Sequence, residues 1–162
     1  MQQLFWQHAQ PVAVAIAPEN LMMPKPPIRI LLVEDDDVDA EAVERGLRKH
    51  QIENPVCNAR DGAEALRLLR AERVGPGIAN PWIVLLDLNL AGMGGFELLD
   101  ALRADPALKH TIVVALTSSD AERDRTEAYR RGVVGYFVKA NMAAGIGFLA
   151  KLLARWPPVG SQ

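Results

Sequence analysis

Apolar runs of strand length alternate with segments of helical periodicity from Ile28 onward. The runs IRILLV, PVCNA, WIVLL, TIVVAL and VVGYFV predict five strands, and their nearly uninterrupted apolar character is typical of strands buried on both faces. Each run precedes a segment that predicts a helix, and Asp61 is a natural N-cap for the second of these. Five such β-α units predict an α/β fold, a doubly wound parallel sheet with helices on both faces.

The first 27 residues differ from the rest of the chain. They contain five prolines, and no Lys or Arg precedes Lys25. Their longest apolar run, Val12 to Ala17, is too short for a signal peptide or a membrane span. We therefore expect residues 1–27 to be a leader, either flexible or an arm docked on another surface, or a segment before a start at Met22 or Met23. The predicted domain covers residues 28–156, and residues 157–162 form a C-terminal tail.

Composition excludes several classes of function. A length of 162 residues with 49% apolar residues fits one globular domain with its own core. The net charge of -2 and the absence of a block of Lys and Arg give no electrostatic basis for binding nucleic acid. The single cysteine, Cys57, excludes an internal disulfide and a zinc site built from several cysteines, and it suits a reducing cytoplasm.

Carboxylates crowd the end of the first strand, where LLV continues into EDDDVDAE. Such a cluster is costly unless a positive group lies among the acids, so it indicates a cation site. Ligands of doubly wound sheets bind beyond the carboxyl ends of the strands. The residues just past the strands are Glu34 and Asp35 after the first, Asp87 after the third, Thr117 after the fourth and Lys139 after the fifth.

Each of these residues taken alone has a structural explanation, because Asp and Thr often cap helices and lysine is common at the surface. Their conjunction at four strand ends favours a functional site. The glycine-rich loop LNLAGMGG after Asp87 lets the backbone come close to a ligand. The remaining acids of the first cluster are assigned to a helix N-terminus, where they meet the positive end of the helix dipole. They are Asp36, Asp37, Asp39 and Glu41.

Four segments, LLVEDD, LLDLNLAGMGGFELL, VVALTSS and GVVGYFVKA, resemble in their order and spacing the receiver domain of two-component response regulators. The resemblance covers residues 28 to about 155 and implies a flavodoxin-like sheet with strand order 2-1-3-4-5. Two further segments, RAERVGPGIANP and LRADPALKHTIVVALTSS, resemble the single-domain regulators of bacterial phytochromes. The implied partner is a sensor histidine kinase, and the finer resemblance points to a bacteriophytochrome.

The resemblance also implies the chemistry. Asp87 would accept a phosphoryl group from a kinase histidine. Mg²⁺ would be held by Glu34, Asp35, Asp87 and the backbone carbonyl of Asn89. The chain would then be a phosphoacceptor that assists its own phosphorylation and dephosphorylation and signals through protein contacts, without being an enzyme in the usual sense. The alternative is a phosphate-independent receiver-like scaffold or dimerisation module, which has no need of the full set of site residues.

Three residues would bind or sense the phosphoryl group. Lys139 would neutralise its oxygens, Thr117 would donate a hydrogen bond to one of them, and Tyr136 matches the aromatic switch position. The alternative for Tyr136 is a half-buried strand tyrosine. The family usually has proline after the lysine, in a cis peptide, where this chain has Ala140. A cis bond before a non-proline residue costs about 2.5–4 kcal/mol, so a trans bond is predicted here. Ala91 also replaces a usual proline.

The last helix carries two apolar stripes. The first is explained by packing against the sheet and consists of Ile146, Leu149 and Leu153. The second is rotated from the first and consists of Phe148, Leu152 and Trp156. A helix outside a doubly wound sheet buries one side, so the second stripe is expected to lie in water and to mark a contact surface. This predicts a homodimer through the last helix and the edge of the fifth strand, unless the leader folds back and covers the stripe.

Overall fold

The computed structural model of the chain describes residues 27–71 and 82–155. Residues 1–26 of the predicted leader, the connection over residues 72–81, Trp156 and the predicted tail lie outside the described residues. Along the described ranges the chain forms five strands and five α-helices, which alternate as predicted. In order they are β1 (Arg29–Val33), α1 (Asp37–Lys49), β2 (Val56–Ala59), α2 (Gly62–Ala71), β3 (Trp82–Leu86), α3 (Gly95–Ala104), β4 (Ile112–Thr117), α4 (Glu122–Arg130), β5 (Gly135–Val138) and α5 (Met142–Ala154).

All strand pairs in the sheet are parallel, and the strand order is β2-β1-β3-β4-β5. This confirms the predicted doubly wound α/β fold. The register brings Val33 opposite Leu86, and Leu86 opposite Ala115. Because the carboxyl ends of β1 and β3 are level, the residues that follow them are neighbours across the sheet edge. The backbone N–H of Asp87 donates to the carbonyl of Val33 over 3.0 Å.

The sheet separates two apolar clusters, one on each face. Helices α1 and α5 cover one face, and α2, α3 and α4 cover the other. All five residues of β3 are buried, and they alternate between the clusters: Ile83 and Leu85 point to the α1 and α5 side, whereas Val84 and Leu86 point to the other. This explains why the strands have continuous apolar runs instead of alternating polarity. No described helix is long and apolar enough to cross a membrane.

The second stripe of α5 corrects an expectation. Phe148 and Leu152 are half-buried against the core cluster beneath α1 and α5, so the expectation that they lie in water is wrong. The Phe148 ring centre lies 5.3 Å from that of Phe137 on β5. A Cβ on Gly135 would come within 2.9 Å of the Phe148 ring, and one on Gly145 within 3.1 Å of Phe137. The glycines make room for both rings between strand and helix, which helical periodicity alone does not show.

Arg103, near the end of α3, joins three parts of one face through backbone carbonyls. Its Nε donates to the carbonyl of Arg131 over 2.9 Å, and its Nη2 to that of Gly132 over 3.1 Å. Its Nη1 donates to the carbonyls of Lys109 and Thr111, over 2.8 and 2.9 Å. The two accepting residues after α4 have no further helical turn to bond their carbonyls. Arg103 therefore anchors the C-terminal end of α4 to α3 and to the connection before β4.

Arg103→Met is expected to lower the free energy of unfolding by about 2–3 kcal/mol, because it leaves four carbonyls, two of them partly buried, without their charged donor. Arg67→Met is the matched control. Arg67 is exposed on α2 and contacts Glu64 over 3.7 Å, so its loss should change stability by no more than about 0.5 kcal/mol. Urea denaturation of both variants checks the prediction. If the two variants have equal free energies of unfolding, the four carbonyl contacts of Arg103 do not stabilise the fold.

Candidate functional site

Three acids meet at the carboxyl edge of the sheet. Glu34 and Asp35 follow β1, and Asp87 follows β3. One carboxylate oxygen from each lies within 4.8 Å of the others, and both Glu34 and Asp87 are buried. One cation with metal–oxygen distances of ~2.0–2.6 Å can bridge oxygens at this spacing. The three acids predicted from the strand ends therefore form a group that could hold a metal ion.

Backbone N–H groups orient these acids. The donors are Asp36 to Glu34 over 3.1 Å, Asn89 to Asp87 over 3.0 Å and Ala91 to Asp35 over 3.1 Å. Ala91 stands where the resembling family usually has proline, which has no N–H to donate. The departure noted in the sequence thus gives Asp35 a hydrogen bond that a proline would remove. A contact through a backbone N–H has no signature in residue type, so sequence reasoning missed it.

Lys139 supplies the positive group that the acid cluster predicts. Its Nζ lies 2.6 Å from Glu34 Oε2, 2.6 Å from Asp39 Oδ2 and 2.9 Å from Asp87 Oδ2. Burial opposes the charge of Lys139, but the hydrogen bonds to these carboxylates outweigh it and raise its pKa above the ordinary value. The ammonium therefore stays charged across the physiological range. The peptide bond from Lys139 to Ala140 is trans, as predicted, and it opens a short 3₁₀ turn into α5.

Burial also raises the pKa of Glu34 above its ordinary value, although the hydrogen bonds from Lys139 and from the Asp36 N–H act in the opposite direction. The Asp87 charge adds to the rise. Burial and the nearby negative charge thus both disfavour the ionised form of Glu34. A bound cation would favour its ionised form.

Thr117 joins the site through Asn89. Thr117 is the last residue of β4 and is fully buried. The Asn89 side chain donates from Nδ2 to Thr117 Oγ1 over 3.4 Å and to Ser118 Oγ over 3.1 Å, while its backbone N–H bonds Asp87. Sequence reasoning assigned Asn89 only through its backbone carbonyl, which stays a prediction. The side chain links the loop after β3 to the loop after β4.

Tyr136 lies on β5 with its ring buried beside the loop after β4. Its side chain is 3% exposed, so it is more deeply buried than the half-buried strand residue considered as the alternative. The hydroxyl donates to the carbonyl of Ser119 over 2.8 Å, and the Arg125 guanidinium lies 4.7 Å from the ring centre. Burial raises the pKa of Tyr136. The predicted switch residue therefore contacts the segment that begins at Thr117.

The first turn of α1 confirms the predicted helix N-terminus for Asp36, Asp37 and Asp39, and it shows a contact that was not predicted. Asp36 is the N-cap: its Oδ1 accepts from the N–H groups of Val38 and Asp39 over 2.8 and 3.0 Å, and these bonds lower its pKa. Asp37 bonds Arg60 over 2.8 Å. Asp39 lies in the first turn as predicted, and it also contacts Lys139 directly. The sequence contains a pattern that could have predicted this contact. Asp39, Val43 and Leu47 follow one another at four-residue spacing, so Asp39 lies on the helix face that Val43 and Leu47 bury.

Residues 30–146 match the response regulator receiver domain family. The chain belongs to this family. Over 115 residues the receiver domain is 36% identical to the response regulator Rcp1 of Synechocystis sp., a match that covers 71% of this chain and 78% of that protein. The finding confirms the family predicted from the four sequence segments.

Two solved structures named for phytochrome regulators are similar to this receiver domain. The bacteriophytochrome response regulator AtBRR is 37% identical, with a TM-score of 0.66 over 83% of this chain and 99% of that one. The phosphorylated cyanobacterial phytochrome response regulator RcpA is 31% identical, with the same TM-score and the same coverage of both chains. The predicted resemblance to regulators of this kind is confirmed.

Gly95, the first residue of α3, packs on the backbone of the phosphoacceptor candidate. A Cβ there would lie 2.8 Å from the carbonyl oxygen of Asp87 and 2.6 Å from the Cα of Leu88. Backbone atoms cannot move aside as a flexible side chain can. Gly94, one position earlier, has extended backbone and no atom within 4 Å of its own Cβ position. The loop after β3 therefore has space for a side chain at Gly94 but not at Gly95.

Gly95→Ala is expected to lower the free energy of unfolding by about 1–3 kcal/mol, because its methyl group forces the Asp87 backbone to shift. Gly94→Ala should change it by no more than about 0.5 kcal/mol, since the loss of a glycine N-cap and the loss of unfolded-state entropy offset each other. Chemical denaturation of the two variants measures the difference. Two equally stable variants would contradict the close packing at Gly95.

Proposed function

We propose that this receiver domain accepts a phosphoryl group on Asp87 from a histidine kinase and signals through protein contacts. The observation that carries the proposal is the convergence of Asp87 with Glu34, Asp35 and Lys139 at the carboxyl edge of the sheet. Receiver domains interact with histidine kinases, and a phosphate-independent scaffold would need neither a buried acid cluster nor the ammonium among its members. The similarity to a phosphorylated regulator supports the same reading.

The reaction needs few groups, because phosphoryl transfer depends mainly on position and on neutralising charge. An Asp87 carboxylate oxygen forms a bond to phosphorus, the P–N bond to the kinase histidine breaks, and the imidazole nitrogen keeps the electron pair. Lys139, already 2.9 Å from Asp87, neutralises an oxygen of the phosphoryl group. The Thr117 hydroxyl, which accepts from Asn89 before the transfer, donates to another oxygen after it. The same groups would assist loss of the phosphoryl group to water.

Glu34, Asp35, Asp87 and the Asn89 carbonyl would hold Mg²⁺. Oxygen donors are the ligands that Mg²⁺ prefers, and the partial exposure of Asp35 is compatible with the waters that the ion retains. When bound, the ion supplies positive charge opposite the phosphoryl oxygens. Loop movement at Thr117 would reach Tyr136 through Ser119, whose carbonyl accepts from the Tyr136 hydroxyl. In this proposal the conformation of Tyr136 depends on whether Asp87 is phosphorylated, and Tyr136 passes this change to the protein surface.

The kinase proposed here is a bacteriophytochrome, on the strength of the similarity to AtBRR and RcpA. The proposed compartment is the cytoplasm, where a single unpaired cysteine is stable. No nucleic-acid partner is proposed, because the net charge is -2. The proposed domain spans residues 28–156, between a leader over residues 1–27 and a tail over residues 157–162.

Incubation with Mg²⁺ and acetyl phosphate is expected to add one phosphoryl group to the chain, and Asp87→Asn should prevent it because the amide is a poor nucleophile. Intact-protein mass spectrometry counts the groups added. Asp100→Asn, an exposed acid on α3 paired with Arg131, is the control and should take up one group like the parent chain. Uptake by the Asp87→Asn protein, or none by the parent, would reject the proposed function.

A homodimer through α5 and the β5 edge is a further part of the proposal. The support is the position of β5 at the end of the sheet order and two exposed apolar side chains that precede it in the chain, Tyr129 near the end of α4 and Val134 directly before β5, which are 48% and 44% exposed. Phe148 and Leu152 are half-buried, so a partner would cover only their outer parts. Trp156, the third residue of the predicted interface, lies outside the described residues.

Val134→Lys is expected to convert a dimer of the full chain into a monomer, because it places a charge in the apolar contact. Val38→Lys is the control: Val38 is also an exposed valine, but it lies on α1. Sedimentation equilibrium at micromolar concentrations gives the mass of each protein. A monomeric parent chain would refute the dimer, and a dimer that survives Val134→Lys would show that the start of β5 lies outside its interface.

A further inference from the structure

Three carboxylates occupy the three donors of the Lys139 ammonium. An ammonium group has three protons, and Glu34, Asp39 and Asp87 lie 2.6, 2.6 and 2.9 Å from Nζ. The Lys139 side chain is only 13% exposed, so water has limited access to replace a lost partner. The position of the ammonium above Asp87 is therefore set by these carboxylates together.

Asp39 differs from the other two partners. Glu34 and Asp87 belong to the group of acids that could hold a metal ion, whereas Asp39 does not. Once Glu34 and Asp87 share their charge with a bound cation, their attraction for Lys139 weakens, and the cation repels the ammonium. Asp39 keeps its full charge for Lys139 in both conditions. Its contribution to holding the lysine is thus greatest when the metal site is filled.

The fold fixes the backbone of Asp39, and its side chain is 42% exposed. Its backbone N–H donates to the Asp36 cap over 3.0 Å, which fixes the first turn of α1. Its side chain shares the inward face of α1 with Val43 and Leu47, both fully buried. Asp39 also has a short side chain with two rotatable bonds, so little entropy is lost when it pairs with Lys139. A capped helix thereby presents one carboxylate to a lysine on a separate segment.

We propose that Asp39 is a positioning residue that keeps Lys139 over Asp87 while a divalent cation is bound. The inference rests on the proposed function, because a lysine held over Asp87 matters only if Asp87 receives an anionic group. Asp39 does not touch that group. Asp39 acts through Lys139. After the transfer, Asp39 keeps its contact with the ammonium while the ammonium moves to contact the phosphoryl oxygens.

The test compares Asp39→Asn with Asp37→Asn in the full chain. Both variants remove one negative charge from the first turn of α1, but Asp37 is 82% exposed and pairs with Arg60 instead of Lys139. The Asp37→Asn protein therefore reproduces the change in net charge and in the helix dipole without touching the lysine. The readout is the NMR order parameter of the Lys139 side-chain Cε, assigned with Lys139→Arg and measured with and without saturating Mg²⁺.

In Mg²⁺, the Lys139 order parameter of Asp39→Asn is expected to fall to roughly half of its value in Asp37→Asn. Without Mg²⁺ the two variants should agree, because Glu34 and Asp87 then hold the ammonium with their full charge. Equal order parameters in Mg²⁺ would overturn the inference. So would a loss of order in Asp39→Asn that is the same with and without Mg²⁺, since that indicates a purely structural contact.

A second measurement separates this inference from the proposed function. With acetyl phosphate and Mg²⁺, Asp39→Asn is expected to take up the phosphoryl group roughly ten-fold more slowly than Asp37→Asn, because the neutralising lysine is no longer held in place. Equal rates would overturn the positioning role while leaving Asp87 as the acceptor. If the parent chain takes up no group at all, the proposed function fails, and the order parameters still decide whether Asp39 holds the lysine.

Discussion

The contact between the Lys139 ammonium and carboxylates from three separate segments is the interaction on which the carboxyl edge of the sheet depends. Glu34 and Asp87 are buried and close together, and two such charges repel each other strongly outside water. The lysine offsets this repulsion only because β5 ends at the same edge as β1 and β3. Lys139 directly follows β5 and begins the short turn that leads into α5. The sheet topology therefore determines whether the charges of the buried acids are balanced, because it brings Lys139 to them.

Much of this arrangement could be predicted from the sequence, for a physical reason. In a parallel sheet the carboxyl ends of the strands are level, so finding the strands also locates the residues that follow them. β3 has the same bounds in sequence and structure because all five of its residues are apolar and buried. Asp61 was predicted as a cap, and its Oδ1 accepts from the N–H of Glu64 over 2.8 Å. Glu34, Asp35, Asp87 and Lys139 followed from the same reasoning.

The one wrong expectation and the contacts that were missed all involve packing or hydrogen bonds between different segments of the chain. Periodicity placed Phe148 on an outward stripe, but it does not reveal that Gly135, thirteen positions earlier, leaves space for the ring. Helix-dipole reasoning explains Asp39 by its own helix and does not consider the lysine, 100 positions further on. The N–H of Ala91 and the amide of Asn89 were missed because most residues could supply such donors. What residue type alone cannot show is which of several suitable partners the fold brings within reach.

The two ends of α4 are attached to different parts of the domain. Its C-terminal end is bound through Arg103 to α3, whereas Asp124 and Arg125 in its first turns contact Ser119 and Tyr136. Only one of its residues, Ala128, is buried, so little packing resists rotation of its axis. A displacement of the Ser119 segment would therefore tilt the axis of α4, with its C-terminal end held in place by Arg103. The first turn of α4 would move furthest. A small movement of the loop beside Asp87 would therefore produce a larger displacement of the exposed residues in that turn.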